Sequence, residues 1–248
     1  MFKEYGELST LLYQHTKPVG LSVAGDIEYY SEKLQQVKMP ILEAGVGTGR
    51  MLIPLLQKGL TVDGLDLSAE MLTQCKINLE KYGLSAKLYQ QNLLELSLSQ
   101  KYGAIIMPTG SFCLLPKEHV GLVLASFFAH LEKDGKVIID LELPINFKSG
   151  EMSSYSYPLD DDRGIQFTSY SQEIDWISQK VSYIHKYELI KQGEIQKTEV
   201  SNFVLYWYGI LEFELLLKSA GFEGISREIG YGDDDKSYLV TFIGHRNN

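Results

Sequence analysis

The densest chemistry in this chain lies in Ile41-Leu42-Glu43-Ala44-Gly45-Val46-Gly47-Thr48-Gly49-Arg50, three alternating glycines between an acid and a base. Glycine has no Cβ, so a ligand can approach the backbone closely and the chain can take unusual φ/ψ values there. The spacing separates ligand classes. A dinucleotide fingerprint needs G-x-G-x-x-G; from Gly45 the last position is Arg50 and from Gly47 it is Leu52, so both registers fail. No Gly-Lys-Ser/Thr follows, which excludes a phosphate loop as well. A carboxylate two residues before the first glycine disfavours pyrophosphate and favours a ligand with an ammonium or sulfonium charge. Alone, the loop would serve equally well as a tight strand-to-helix turn. A second acid adds to it: Asp66, in the LDLS run 21 residues after Gly45, is placed to accept both hydroxyls of a ribose. Ser68 is the better helix cap, which leaves Asp66 free for that role, and Asp63 is expected at the start of the strand or at an edge.

These residues need rigid elements behind them. Short β runs at 39–45, 60–68, 86–90, 102–108 and 135–143 alternate with helical patterns at 49–58, 68–82 and 117–132, which is the signature of a parallel sheet covered on both faces. Before them, residues up to about Val37 read as helical pieces around a KPVGLSVAG loop. Beyond about Pro144 the rhythm changes to alternating Tyr, Thr, Ser and Ile, with Gly193 at a hairpin turn, so residues 151–208 read as antiparallel strands. A helix near 209–220, stopped by Gly221, and strands near 224–230 and 236–244 complete the pattern. The expectation is an α/β fold: a doubly wound, mostly parallel seven-stranded sheet with an antiparallel β-rich insertion. Its parts are a helical cap (1–38), a ligand-binding core (39–150 and 209–248) and a lid (151–208).

Composition narrows the partners. The formal net charge of −9 over 248 residues argues against nucleic acid or an anionic membrane surface, which would need clustered Lys and Arg. Cys75 and Cys113 are too few for a disulfide framework, form no CxxC pair for zinc, and read as core residues. No apolar run reaches about 18 residues and no secretory leader is evident, so a cytoplasmic protein is expected. No metal is expected.

The LEAGVGTGR loop and the LDLSAEML segment, supported by QQNLLEL, YGAIIMPTGSF and KSAGF, resemble the class I S-adenosylmethionine-dependent methyltransferases over roughly 39–143 and 209–245. The resemblance implies a Rossmann-like fold and S-adenosyl-L-methionine as cofactor. It places Gly45 and Gly47 along the methionine moiety, with Glu43 behind the loop and Arg50 facing the cofactor carboxylate. Asp66 would hold the ribose hydroxyls, Leu67 and Met71 would pack on adenine, and Asn92 with Leu93 would meet the adenine edge. Asn92 stands where the family usually has Asp; its carbonyl can still accept a hydrogen bond. Met107, Pro108, Thr109 and Phe112 would floor the sulfur. Thr109-Gly110-Ser111 lacks the G-x-S-x-G of a hydrolase.

Methyl transfer by direct displacement asks a protein for alignment and desolvation rather than a catalytic triad, so no catalytic residue is assigned. The lid region holds seven tyrosines (155, 157, 170, 183, 187, 206 and 208) with Trp176 and Trp207. Tyr157, Tyr206 and Trp207, with Tyr13 and Tyr29 of the N-terminal segment, are the candidate substrate contacts, an amine held by cation–π contact being one candidate. His185 fits a structural place in a strand better than a base. The expected partner is a small molecule methylated on N or O, in the manner of the sugar and glycine-type N-methyltransferases, with a homodimer left open. The alternatives are a non-catalytic S-adenosylmethionine-binding regulatory module or a methyltransferase of proteins; a nucleotide-dependent oxidoreductase is disfavoured by the glycine spacing.

Overall fold

Alternation along the central strands sorts their side chains into two apolar layers. Leu42 and Ala44 pack in one layer with Ile105, Met107, Val137 and Ile139; Ile41 packs in the other with Ala104, Ile106 and Ile138. A strand buried on both faces needs helices above and below it, and the computed structural model, which describes residues 5–232 and 238–247, supplies them.

The chain runs α1 (Glu7–Thr16), α2 (Asp26–Leu34), β1 (Ile41–Ala44), α3 (Leu52–Gln57), β2 (Val62–Asp66), α4 (Ala69–Lys81), β3 (Leu88–Gln90), β4 (Tyr102–Met107), α5 (Val120–His130) and β5 (Leu131–Glu142). Then come β6 (Met152–Pro158), β7 (Arg163–Asp175), β8 (Lys180–Lys191), β9 (Glu194–Tyr206), α6 (Ile210–Ser219), β10 (Glu223–Ile229) and β11 (Leu239–His245). The main sheet has the order β10-β11-β5-β4-β1-β2-β3. Its β3-β2-β1-β4-β5 pairs are parallel, and β11 is antiparallel to both β5 and β10. This is the expected doubly wound sheet of seven strands, and β6-β7-β8-β9 form the expected antiparallel sheet beside it. Residues 236 and 237 of the last expected strand lie outside the described residues. The α3 helix begins at Leu52 rather than at 49, because Gly45, Gly47 and Gly49 all sit at positive φ, which an α-helix does not accept.

The N-terminal helices are fastened at both ends. The first turn of α1 has no capping side chain of its own; Glu199 of β9 takes that place, accepting from Leu8 N at 2.8 Å and Ser9 N at 3.3 Å. A carboxylate there also suits the helix dipole. Leu8 and Leu12 pack on Ile165 and Tyr187 of the second sheet, while Gln14 accepts from Asn78 of α4 at 2.9 Å. The segment before α2 is held by Asp26, fully buried, which accepts from the amides of Val23 and Ile27 and receives the Arg50 guanidinium at 2.5 Å.

Removing one member of a buried ion pair strands the other charge, at a cost of about 3–5 kcal/mol. Asp26→Ala is therefore expected to lower the urea-unfolding free energy by about that much, while Lys33→Ala, which breaks a half-exposed pair with Glu228, should cost about 1 kcal/mol or less. Similar losses from the two variants would contradict the buried pair as the main fastening of the cap.

Candidate functional site

Strand alternation places Glu43 on the Ile41 face, toward α3, and β1 ends one residue later. The glycine loop then turns outward over it. Gly45 and Gly47 have φ of +78° and +55°, conformations that L side chains rarely adopt. A Cβ at Gly45 would lie 3.5 Å from Ser111 Cβ, and one at Gly47 would lie 3.9 Å from Met71 Sδ. Side chains at these glycines would project into the groove between the loops that follow β1, β2 and β4.

Two carboxylates pin those loops. Asp66, at the end of β2, accepts from Gly47 N at 2.8 Å and from Ser68 N at 2.9 Å. The Leu67 amide also acts on Asp66, and the carboxylate's remaining acceptor capacity is open to a ligand hydroxyl. Ser68 caps α4 by accepting from Met71 N. On the other side, Asp140 of β5 is fully buried and accepts from Thr109 N at 2.7 Å, Thr241 Oγ1 at 2.6 Å and the Tyr231 hydroxyl. Thr109 sits at φ +52°, so the loop after β4 is held in a conformation that Asp140 helps to compensate. Burial pushes the Asp140 carboxyl up to about 6 against these hydrogen bonds.

Glu43 is the least satisfied group. It is almost fully buried, and its Oε2 has no hydrogen-bond partner among the described residues. Burial pushes its carboxyl up to about 8, opposed by Arg50 and reinforced by Asp26 and Asp66. Arg50 cannot neutralise it, because the guanidinium is committed to Asp26 and to the Leu21 carbonyl at 2.8 Å. A buried carboxyl left in this state favours a cation brought close to it.

The expected contacts divide into those that meet at the groove and those that do not. Gly45, Gly47, Asp66, Leu67, Met71, Met107, Pro108 and Thr109 belong to the loops and strand ends just described; Leu67 is half exposed beside Asp66. Asn92 uses its side-chain oxygen to cap a short 3-10 turn through Leu94 N at 3.1 Å, and Leu93 is buried in the core. Arg50, expected to face a ligand carboxylate, instead faces Asp26, and its Nε is buried without a partner. Phe112, expected on the floor, is turned by the 3-10 turn Ser111–Leu114 into the core against Phe213 and Tyr208, with no exposed surface. Ser111, which the sequence did not single out, takes the place beside Gly45. Asp63 lies at the start of β2, the first of the two expected placements, and is buried beneath Tyr102, whose hydroxyl it accepts at 3.2 Å.

The candidate substrate contacts divide in the same way. Tyr206 and Trp207 line a cavity of about 280 Å³ between the end of β5 and the second sheet, together with Glu142, Phe147 and Tyr183. Tyr157 lies outside it, edge-on to His15 where α1 docks on the second sheet. Tyr29 also lies outside it, packed between Tyr30, Tyr231 and the Lys33 ammonium. The hydrophobic stripe of α2 turns both tyrosines inward, and spacing alone could not separate them from site residues. Tyr13 sits beside the Arg50 guanidinium, with Lys17 above its ring at 5.2 Å; Lys17 is a cation at the site that the sequence reading missed. His185 stacks on Phe203 with centroids 4.8 Å apart, and burial pulls it down to about 4, so it is neutral near pH 7. Cys75 and Cys113 are buried free thiols, both pushed up to about 12. Among the described residues no group of His, Cys, Asp and Glu could hold a metal ion, and no helix is long and apolar enough to cross a membrane.

The Glu43 environment makes a pH prediction. A folded carboxyl raised from 4.5 to about 8 contributes stability that is fully present below about pH 4.5 and is lost as pH rises through about 8. In the ligand-free chain, Glu43→Gln should therefore raise Tm at pH 9 by about 10 °C, with the gap closing toward pH 5. A gap that does not vary with pH would show that Glu43 is not the titrating group.

Comparison with known proteins bears on this groove directly. The family described as "Methyltransferase domain" matches residues 41–135, which contain the glycine loop, Asp66 and the loop after β4. A dTDP-3-amino-3,4,6-trideoxy-alpha-D-glucopyranose N,N-dimethyltransferase from Streptomyces venezuelae is 30% identical over 116 residues, 46% of this chain and 47% of that protein. A Bacillus subtilis protein described as a methyltransferase is 29% identical over 188 residues, 74% of this chain and 73% of its own. The chain spans 41% and 47% of the length of two of the curated relatives it matches. In three dimensions, the crystal structure of a sugar N-methyltransferase from Streptoalloteichus superposes with a TM-score of 0.80 at 18% identity, over 100% of this chain and 96% of that one. The chain thus has the Rossmann-like fold seen in S-adenosylmethionine-dependent methyltransferases, and the part that contains its glycine loop matches the family described as "Methyltransferase domain".

Proposed function

We propose that this chain is an enzyme that binds S-adenosyl-L-methionine in the groove bounded by Glu43, Gly45, Gly47, Asp66 and Ser111 and methylates a nucleophilic nitrogen or oxygen of a small molecule. The observation that carries the reading is the buried Glu43 carboxyl, whose Oε2 has no hydrogen-bond partner among the described residues, beneath a glycine loop whose Gly47 amide is tied to Asp66. It is a niche lacking one positive charge, next to an acid with lone pairs to spare. The glycine cradle fits such a ligand because its nearest side chains, Ser111 and Met71, stop where a Cβ would begin.

Bound there, the cofactor supplies an activated methyl group, and the remaining demands fall on the protein. Glu43 favours the ligand's positive charge. Asp66 accepts the ribose hydroxyls through its unused lone pairs. Leu67, half exposed without a ligand, gives the adenine an apolar surface. Lys17 and Tyr13 lie where a carboxylate is wanted, a role that Arg50, paired with Asp26, is not free to take alone. The loop at Thr109–Ser111, pinned by Asp140, forms the wall on the acceptor side. Residues 151–208 act as the lid, with Tyr206 and Trp207 on the acceptor. The cavity of about 280 Å³ is just under the range for drug-sized ligands, which suits a small acceptor rather than a folded protein. The similar sugar and amino-sugar N-methyltransferases support this choice of acceptor class.

Calorimetry with S-adenosylhomocysteine tests the cofactor assignment. Asp66→Ala should weaken binding by about 1–3 kcal/mol, the loss expected for hydrogen bonds to two ribose hydroxyls. Unchanged affinity in that variant, or tight NADH binding with no response to the adenosyl compounds, would overturn the reading. Methyl transfer to amines or alcohols by the wild-type chain separates an enzyme from a binding module.

A further inference from the structure

The cavity beneath the second sheet is lined by two acidic side chains that the cofactor site does not use, Glu142 and Glu151, and of these Glu142 reaches toward the groove. Glu142 closes β5, is half buried, and lines the cavity opposite the aromatic side chains of β8 and β9. It also reaches back toward the groove. A Cβ at Gly110 would lie 2.8 Å from the Glu142 carboxyl carbon, and the next residue, Ser111, is the one that packs beside Gly45. A single turn of loop thus separates this carboxylate from the methionine end of the proposed cofactor site. No hydrogen bond is made to its oxygens among the described residues; the nearby Cys113 thiol meets the Glu142 backbone instead.

The surroundings favour a positive charge. Tyr183, Tyr206, Trp207 and Phe147 share the lining with Glu142. Aromatic faces attract a desolvated ammonium, and a carboxylate on the same wall adds a charge-assisted hydrogen bond. Lys148 and Glu151 also line the cavity, with charges that offset each other. Among the described residues, Lys17, at the end of α1 above Tyr13, is the cation that acts on Glu142.

We propose that Glu142 is the acceptor-recognition and proton-accepting residue of this cavity, and that the acceptor is an amine entering as its ammonium. This rests on the methyltransferase reading above. The step is a proton transfer: R-NH3⁺ and the Glu142 carboxylate become R-NH2 and the Glu142 carboxylic acid. The N–H electron pair stays on nitrogen as the nucleophilic lone pair, and the proton leaves later to solvent through the open side of the cavity. An ordinary carboxylate is a weak base for this purpose. Burial is the largest influence on Glu142 and raises its carboxyl, Asp140 adds to the rise and Lys17 opposes it, so Glu142 holds a proton better than an exposed glutamate would. An alcohol has no charge to place between the carboxylate and the rings, and its proton is far less acidic.

Binding measurements distinguish this proposal from the cofactor assignment. The chain saturated with S-adenosylhomocysteine is titrated calorimetrically with benzylamine and with benzyl alcohol, which differ at the relevant group alone. Benzylamine should bind at least about tenfold more tightly at pH 7. Its affinity should fall as pH drops and Glu142 takes up a proton. Glu142→Gln should remove both the preference and the pH dependence while leaving the affinity for S-adenosylhomocysteine unchanged, and Glu142→Asp should restore part of the preference. Equal binding of the two probes, or a preference that survives in Glu142→Gln, would overturn the proposal. Failure to bind S-adenosylhomocysteine at all would overturn the methyltransferase reading on which it rests.

Discussion

The site depends on an imbalance of buried charge. Asp26, Arg50 and Glu43 lie together under the glycine loop, and one guanidinium serves two carboxyls. Geometry gives the direct contact to Asp26, whose Oδ2 it meets at 2.5 Å, and Glu43 feels the same guanidinium only at longer range, too weakly to outweigh burial. Ionised carboxylates are expensive in such surroundings, so the ligand-free chain holds Glu43 neutral over much of the physiological range, and a bound cation would reverse that preference. The same ion pair fastens the N-terminal segment against the loop. The covering of the site and its demand for positive charge therefore share one origin.

Around this centre the ligand loops are fixed by a device used twice. A strand carboxylate accepts the backbone amide of a neighbouring loop: Asp66 from Gly47, and Asp140 from Thr109. Each bond crosses from one strand end to the next, so the loops after β1 and β4 are set relative to each other before any ligand arrives. Holding Thr109 at positive φ costs conformational energy that the Asp140 bond offsets, whereas the two glycines take positive φ without that cost. A pre-set groove spares a ligand the entropy of ordering it.

The second sheet enters the site through its contacts with both ends of the chain. Glu199 supplies the first turn of α1 with the acceptor its own sequence lacks, and Trp207 closes the cavity beside Glu142. Trp176, largely exposed, meets Trp207 edge-on at 5.5 Å. The inner face of the second sheet is almost continuously aromatic, from Phe167 through His185 to Phe203. That composition explains why tyrosine count alone was a poor guide to the acceptor wall: Tyr157 and Tyr187 pack on α1, whereas Tyr206 faces the cavity.

The doubly wound sheet, the antiparallel insertion and the unusual glycine spacing were legible in the amino-acid order, because strand alternation, helical periodicity and the absence of a Cβ are local properties. Glu43 and Asp66 were legible for the same reason, each standing at a fixed offset from a turn. The partners were not. Whether Arg50 faces a ligand or Asp26, and whether Phe112 floors the groove or fills the core, is decided by residues 24 and about 100 positions away. Glu142 reads in sequence as one more polar residue ending a strand; it becomes significant because the chain returns through β8 and β9 to set tyrosine and tryptophan opposite it. Charge pairing and desolvation act through space, and only the folded chain specifies which groups share that space.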